Sequence, residues 1–77
     1  QEALVDLLSA ALRLLADRHH LSPLAIATNK DLQKLVRNDP VCPLLEGWRN
    51  SVAGTPLQQV MRGEIKLLNL DGQLVLG

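Results

Sequence analysis

Residues 2–20 of this chain have the sequence EALVDLLSAALRLLADRHH. Polar side chains recur along the stretch every three or four residues, which places them on one stripe of a helix: Glu2, Asp6, Ser9, Arg13 and Asp17. Nearly all the other positions are leucine, valine or alanine, so the apolar arc is unusually wide. Because such an arc has to be covered on several sides, we expect this helix to be the central one of a mainly helical domain.

Two shorter helices are predicted next. Ser22 and Pro23 have the pattern of an N-cap followed by proline at the first helical position, which predicts a helix through Ala27. A third helix should begin after Thr28, because Asp31 stands three residues later and completes a capping box. In that motif the hydroxyl and the carboxylate each accept a hydrogen bond from the other residue's backbone N–H.

Proline and glycine punctuate the rest of the helical region. The third helix should end by Asn38, because Pro40 disfavours a helical conformation at the residue before it. Pro43 is suited to begin a fourth helix, which the apolar spacing extends through Val52. This prediction keeps Gly47 inside the helix, at a close packing contact, and ends the helix at Gly54.

The C-terminal part of the chain changes period. Residues 55–63 repeat the cap-plus-proline pattern and stop at glycine, which predicts a fifth helix. Apolar residues then alternate on both sides of Asp71-Gly72, a dipeptide typical of a type I′ hairpin turn. The predicted fold is therefore mainly α, a compact bundle of about five helices with a short C-terminal β-hairpin that packs on the helices.

Composition limits the classes of protein. The chain has 77 residues, 47% of them hydrophobic, and a formal net charge of zero, as expected for a single globular domain covering residues 1–77. No apolar run is long enough for a transmembrane helix, and no signal peptide follows Gln1, so we expect a cytoplasmic, monomeric piece of a larger protein. Cys42 is the only cysteine, which excludes an internal disulfide and a thiolate metal cage.

A basic stripe is the best candidate for a binding surface. Lys30, Lys34 and Arg37 are spaced so that all three project from one face of the third helix, where phosphates are a suitable ligand. Arg49 is predicted to add a guanidinium, and Asn29 and Asn50 to donate hydrogen bonds to phosphate or sugar. The alternative is a solvated helix face, since cations near a helix C-terminus are favoured by the dipole without any ligand.

Other conspicuous residues have structural interpretations. Trp48, the only aromatic residue, is spaced with Leu44 and Val52 so that we expect it in the core rather than stacked on a base. The adjacent His19 and His20 diverge by about 100° on a helix and cannot chelate one metal, so they are assigned to the helix C-terminus. Cys42 has no evident partner and is expected to be a buried or half-buried apolar residue.

Two stretches of the sequence carry a resemblance to known families. IATNKDLQKLV, residues 26–36, resembles the middle of an HRDC domain, the helical module shared by RecQ-type helicases and ribonuclease D. PLLEGWR, residues 43–49, followed by Gly54 and then Arg62-Gly63-Glu64, is more similar to the C-terminal region of bacterial ribonuclease D. Gly-Trp-Arg-Asn and Thr-Pro-Leu stand where helicase-type domains carry a Tyr-Gly or Phe-Gly pair, which favours ribonuclease D.

The resemblance implies a non-catalytic accessory domain. Ribonuclease D chemistry uses four acidic residues and a tyrosine around two metal ions in a separate catalytic domain, and this chain has scattered acids and no tyrosine. We therefore expect no catalytic residue, no metal site and no cofactor here, with divalent metal only in a linked catalytic domain. The expected partner is weakly bound RNA. The alternatives are a scaffolding domain packed on the catalytic domain, and a RecQ-type module binding single-stranded DNA.

Overall fold

The computed structural model describes residues 2–77. Its elements are α1 (Glu2–Arg18), α2 (Pro23–Ile26), α3 (Asn29–Val36), a 3-10 turn (Pro43–Leu45), α4 (Gly47–Arg49), a π-helical segment (Asn50–Gly54), α5 (Thr55–Met61), β1 (Leu67–Leu70) and β2 (Gln73–Leu76). The mainly helical fold with a C-terminal hairpin is as predicted.

Helix α1 is the centre of the domain, as its wide apolar arc predicted. It contacts α2, α3, the π-helical segment, α5 and β2. Its inward residues are buried together with the apolar side chains of the surrounding elements. The largest fully buried side chains are those of Leu8, Ile26, Leu32, Leu44 and Leu57. Four of these come from elements other than α1, so the core is built by wrapping short elements around one long helix.

The capping box that starts α3 is formed as predicted. The backbone N–H of Thr28 donates to Asp31 Oδ2 over 2.9 Å, and that of Asp31 donates to Thr28 Oγ1 over 3.3 Å. Helix α2 also begins at Pro23, but the Ser22 side chain makes no capping hydrogen bond. Proline at the first position, which needs no partner for an N–H, is enough to begin that short helix.

The region from residue 43 to residue 61 differs from the prediction. The residues after Pro43 form only a 3-10 turn, and the chain is extended at Glu46 before a new helix begins at Gly47, whose φ is +59°. Gly47 therefore provides a left-handed conformation at a helix start, not a close packing contact inside a helix. Gly54 does not end the helix, because residues 49, 50, 54 and 55 all have right-handed helical angles.

The predicted fourth and fifth helices are consequently one continuous helical stretch, residues 47–61, with a π-helical turn in its middle. Pro56 offers no N–H and its ring conflicts with the carbonyl four residues earlier. Widening the turn just before Pro56 accommodates that ring, and the N–H of Thr55 bonds to the Asn50 carbonyl five residues back. Thr55, predicted as an N-cap, instead lies inside the stretch, where its hydroxyl donates to Asn50 Oδ1 over 3.1 Å.

Three helices end in the same way. The residue after the C-cap turn adopts a positive φ, and the next N–H bonds to a carbonyl five residues earlier, which is a Schellman motif. The three left-handed residues are His20, Asn38 and Gly63. The corresponding bonds join the N–H of Leu21 to the carbonyl of Ala16, Asp39 to Lys34, and Glu64 to Gln59, over 2.8, 3.0 and 2.9 Å.

The hairpin has the predicted turn. Asp71 and Gly72 both have positive φ, 52° and 84°, as a type I′ turn requires, and Leu70 pairs with Gln73 across it. Antiparallel pairing places Leu67 and Leu76 opposite each other, and both pack against the core. The hairpin is thus attached to the helical body by its inner face, as predicted.

Candidate nucleic-acid interface

The basic stripe lies on the solvent side of α3. The inner side of this helix is fixed by Leu32 and Leu35, which are 2% and 3% exposed. Lys30 and Arg37 are exposed and Lys34 is half-buried. At 100° per residue, these three cations point away from the two buried leucines. The spacing that the sequence indicated is therefore present as one continuous face.

The cations of this face have no close carboxylate. Within residues 2–77, the ion pair closer than 4.0 Å joins Arg62 to Glu64, which follow α5 and belong to a different part of the chain from α3. Lys30, Lys34 and Arg37 therefore form no ion pair within 4.0 Å among the described residues, and mobile counterions balance much of their charge. Such counterions are released when a phosphate chain binds, which is the main source of affinity in non-specific nucleic-acid binding.

A shallow groove of about 370 Å³ separates α1 from α3 beside this face. On one side of the groove lie two amides and a guanidinium from α3 and its C-cap, and on the other side lie two carboxylates from α1. Apolar side chains line the space between them. The lining residues are Glu2, Val5, Asp6, Asn29, Gln33, Val36 and Arg37. The acids of α1 lower the attraction of this edge for phosphate, so Lys30 and Lys34, outside the groove, form the more favourable part of the face.

Gln33 belongs to this surface although the sequence interpretation did not include it. It is exposed, lies between Lys30 and Lys34 in the chain, and lines the groove with Asn29 four residues earlier. The sequence could have indicated this position of Gln33, because residues four apart on a helix share a face and Gln33 is four residues after Asn29.

Arg49 and Asn50 are held by hydrogen bonds within the chain. Arg49 Nε donates to the Ile26 carbonyl oxygen over 3.0 Å, in a partly buried contact that joins α4 to the end of α2. Asn50 Oδ1 accepts from the Thr55 hydroxyl. The structure therefore separates the six predicted residues into a group on α3 and a pair on the continuous helix, with Arg49 reaching the chain just before α3.

Trp48 is not in the core, contrary to the prediction. Its side chain is 48% exposed, and the Arg49 guanidinium lies over the indole with its carbon 4.6 Å from the ring centroid. The extended residue at Glu46 and the left-handed Gly47 reset the helix phase. Spacing from Leu44 consequently does not carry over to Trp48, which is why the predicted burial failed.

Cys42 is buried as predicted, with 3% of its surface exposed. Its Sγ lies 3.6 Å from the Asp31 carbonyl oxygen. Burial raises the pKa of the thiol above its usual value. A thiol in this environment is protonated at neutral pH and is a poor nucleophile, in agreement with its packing role.

Across residues 2–77, no three histidine, cysteine, aspartate or glutamate side chains come together as a set of metal ligands. In the same part of the chain, none of the helices combines the length and the apolar content that crossing a bilayer requires.

Comparison with curated proteins finds similarity to ribonuclease D. The chain is 36% identical over 74 residues to ribonuclease D of Gluconacetobacter diazotrophicus, 35% to that of Granulibacter bethesdensis and 31% to that of Bartonella henselae. These alignments cover 94 to 95% of this chain but only 18 to 19% of each relative. The matched segment is the C-terminal part of ribonuclease D.

No protein-family model matches the chain, and no solved structure matches it significantly. The likeness to an HRDC domain therefore rests on the residues quoted above.

Proposed function

We propose that this chain is a non-catalytic accessory domain of a ribonuclease D-like 3′–5′ exoribonuclease, and that it holds RNA weakly for a separate catalytic domain. The proposal includes a cytoplasmic location, a monomeric state and an HRDC-like function. Its main support is the unpaired cationic face of α3 in a chain similar to the C-terminal part of ribonuclease D. The named relatives give no support to the helicase alternative.

The proposed interface is centred on Lys30 and Lys34. Their ammonium groups contact RNA phosphates, while Asn29 donates from the first turn of the same helix. Arg37, at the other end, contributes less because Glu2 and Asp6 line the same groove. With a net charge of zero, the domain has little long-range attraction for RNA, so binding depends on this local face.

Weak binding is sufficient for an accessory domain. When two binding units belong to one chain, the second contact takes place at the high effective concentration set by the linker. A domain that binds RNA only at micromolar or weaker affinity then still prolongs the stay of a substrate on the linked nuclease.

The test is fluorescence anisotropy of an end-labelled single-stranded RNA with the native chain and a Lys30→Glu/Lys34→Glu variant. Three phosphate contacts predict a slope of log affinity against log salt of about −2, using roughly −0.7 per contact for single strands. Removing two of these contacts should reduce the slope to about −0.7 and lower affinity several-fold at low salt.

The matched control is Arg18→Glu/Lys66→Glu, which has the same net charge but leaves α3 unchanged. Both control positions are exposed and lie on α1 and next to β1. This control should retain at least most of the RNA affinity. Equal binding by the native chain and the α3 variant, or an equal loss in the two variants, would contradict the proposed interface.

A second candidate function is protein contact. The outer face of the hairpin is apolar, with Leu68 and Leu70 41% and 58% exposed, and this chain spans less than a fifth of its relatives' length. An apolar sheet face suits packing on a catalytic domain of the same chain. NMR shifts limited to residues 57–76 when that domain is added, without a response to RNA, would favour this candidate.

A further inference from the structure

Trp48 and Arg49 form a stacked pair on the surface of the domain. Trp48 is the only aromatic residue in the chain, and nearly half of its side-chain surface is exposed. One side of the indole faces the Arg49 guanidinium at 4.6 Å from the centroid. Single exposed apolar residues are common, but here a cation lies over one face of the indole while 48% of the residue's surface remains exposed.

The pair is held rigidly by the backbone of another element. Arg49 Nε donates to the Ile26 carbonyl over 3.0 Å, so the guanidinium cannot leave the ring without losing a partly buried hydrogen bond. A fixed guanidinium limits the rotamers of the indole beside it. The cost of ordering the aromatic side chain is therefore met during folding and not when a ligand binds.

The Trp48–Arg49 pair is held close to the start of α3 in the chain. The Ile26 carbonyl is the last of α2, and α3 begins three residues later at Asn29. Side chains of a helix tilt toward its N-terminus, so Lys30 in the first turn of α3 leans toward the same junction. The Trp48–Arg49 pair is thus anchored to the segment that leads into α3.

We propose that Trp48 is a stacking platform for an unpaired nucleobase of single-stranded RNA, with the neighbouring phosphates on Lys30 and Lys34. This inference rests on the proposed RNA-binding function and specifies its substrate class. Proteins bind unpaired bases by stacking them on aromatic rings and guanidinium planes, whereas bases inside a duplex are not accessible to such stacking. The domain accordingly prefers single strands to duplex RNA.

The intrinsic fluorescence of the chain reports on Trp48 alone, because the chain has no other tryptophan and no tyrosine. The probe is a short oligouridylate, titrated at low salt while Trp48 emission and the anisotropy of an end label are followed. Stacking predicts quenching of Trp48 in parallel with the rise in anisotropy. An abasic oligomer with the same number of phosphates should bind more weakly and leave the emission unchanged, and duplex RNA should behave like the abasic oligomer.

Variants separate stacking from charge. Base stacking on an aromatic side chain is large enough that Trp48→Leu should weaken oligouridylate binding by about 5- to 150-fold. Trp48→Phe keeps an aromatic face and should retain more affinity than the leucine variant. Lys30→Glu/Lys34→Glu should weaken binding, yet leave the quenching at saturation as large as in the native chain.

The results also distinguish this inference from the function on which it rests. Binding by anisotropy without any change in Trp48 emission would overturn the stacking platform and leave the RNA-binding proposal intact. Absence of binding altogether would overturn both. A blue-shifted Trp48 emission in the RNA-free chain that RNA does not alter would place the indole in a protein contact, and would overturn the platform in favour of that contact.

Discussion

The continuous helix of residues 47–61 needs glycine at two positions for opposite reasons. Gly47 has a left-handed φ of +59° with open space around it, so a side chain there meets only conformational strain. Gly54 has ordinary helical angles, but a β-carbon would overlap the Leu44 carbonyl oxygen and approach Asn50 Oδ1 to 2.7 Å. One glycine is required by the backbone and the other by its neighbours.

Gly54→Ala should therefore destabilise the domain, although glycine to alanine inside a helix normally stabilises by about 0.5 to 1 kcal/mol. Forcing a methyl group against a backbone carbonyl costs about 1 to 3 kcal/mol, which exceeds that gain. Urea unfolding followed by circular dichroism measures the difference. A variant as stable as the native chain would show that the Leu44 carbonyl moves aside at no cost.

Asparagine at the same two positions provides the control. Asparagine tolerates the left-handed region, so Gly47→Asn should be milder than Gly47→Ala, for which about 1 to 2 kcal/mol is expected. At Gly54 asparagine should be worse than alanine, because it is larger and the conformation needs no left-handed residue. This reversal between the positions distinguishes lack of space from backbone strain.

Single residues were predictable where their own chemistry decided the structure. The buried Cys42 and the left-handed Asp71 and Gly72 followed from size and from turn preference. Trp48 did not, because its burial depended on the helix phase, and that phase was changed by the left-handed Gly47 just before it. Glycine is compatible with a helix interior and with a positive φ alike, so the sequence alone did not choose between them.

At the scale of the elements, the same sequence signal gave two different outcomes. Thr28 follows a short helix and begins α3 with a complete capping box. Thr55 also precedes a helical apolar pattern, with proline at the next position, yet the helix passes through it without interruption. Both threonines are followed three residues later by a side chain that can accept a hydrogen bond, Asp31 and Gln58. What differs is the backbone, since Thr28 is extended, with φ −97° and ψ 169°, whereas Thr55 has helical angles of −63° and −50°.

The two threonines make a matched test of this assignment. Thr28→Ala removes the acceptor for the N–H of Asp31 and should cost about 1 kcal/mol of stability. Thr55→Ala removes one exposed hydrogen bond to Asn50 but introduces a residue with a higher helix propensity, so it should change stability by less than about 0.5 kcal/mol. Thermal unfolding of both variants gives the comparison, and an equal loss would mean that Thr55 is a true N-cap.

The candidate interface was predictable only in part, because the helix period relates residues of one element and not residues of different elements. Lys30, Lys34 and Arg37 share one helix, and the period of that helix fixes their common face. Arg49 and Asn50 belong to a different element, and their hydrogen bonds to Ile26 and Thr55 depend on how the elements pack. Periodicity gives faces of single helices, but it gives no distances between them.

For the whole molecule, the hairpin completes the core of a thin domain. The domain measures 38 × 26 × 19 Å, so its smallest dimension allows only about two layers of elements. The inner hairpin residues Leu67 and Leu76 pack against the core, and β2 contacts α1. Since an isolated hairpin is marginal in water, its strands depend on the helices, and the helices depend on it for cover.

This mutual dependence predicts that Leu76→Ala lowers the stability of the entire domain. The side chain is half-buried, so a loss of about 1 to 2 kcal/mol is expected, below that of a fully buried leucine. For a domain of this size, that loss lowers the melting temperature by about 4 to 15 °C. The helical signal in far-UV circular dichroism should shift as a whole, because hairpin and helices unfold as one cooperative unit.

Leu70→Ala is the control for this last prediction, because Leu70 lies on the outer face and is 58% exposed. Its substitution should leave the melting temperature within about 2 to 4 °C of the native value, as surface changes of less than about 0.5 kcal/mol do. A helical transition that stayed unchanged in Leu76→Ala, while the hairpin amides alone lost protection from hydrogen exchange, would contradict the single cooperative unit. The helices would then form a domain by themselves, with the hairpin as an appendage free to serve another contact.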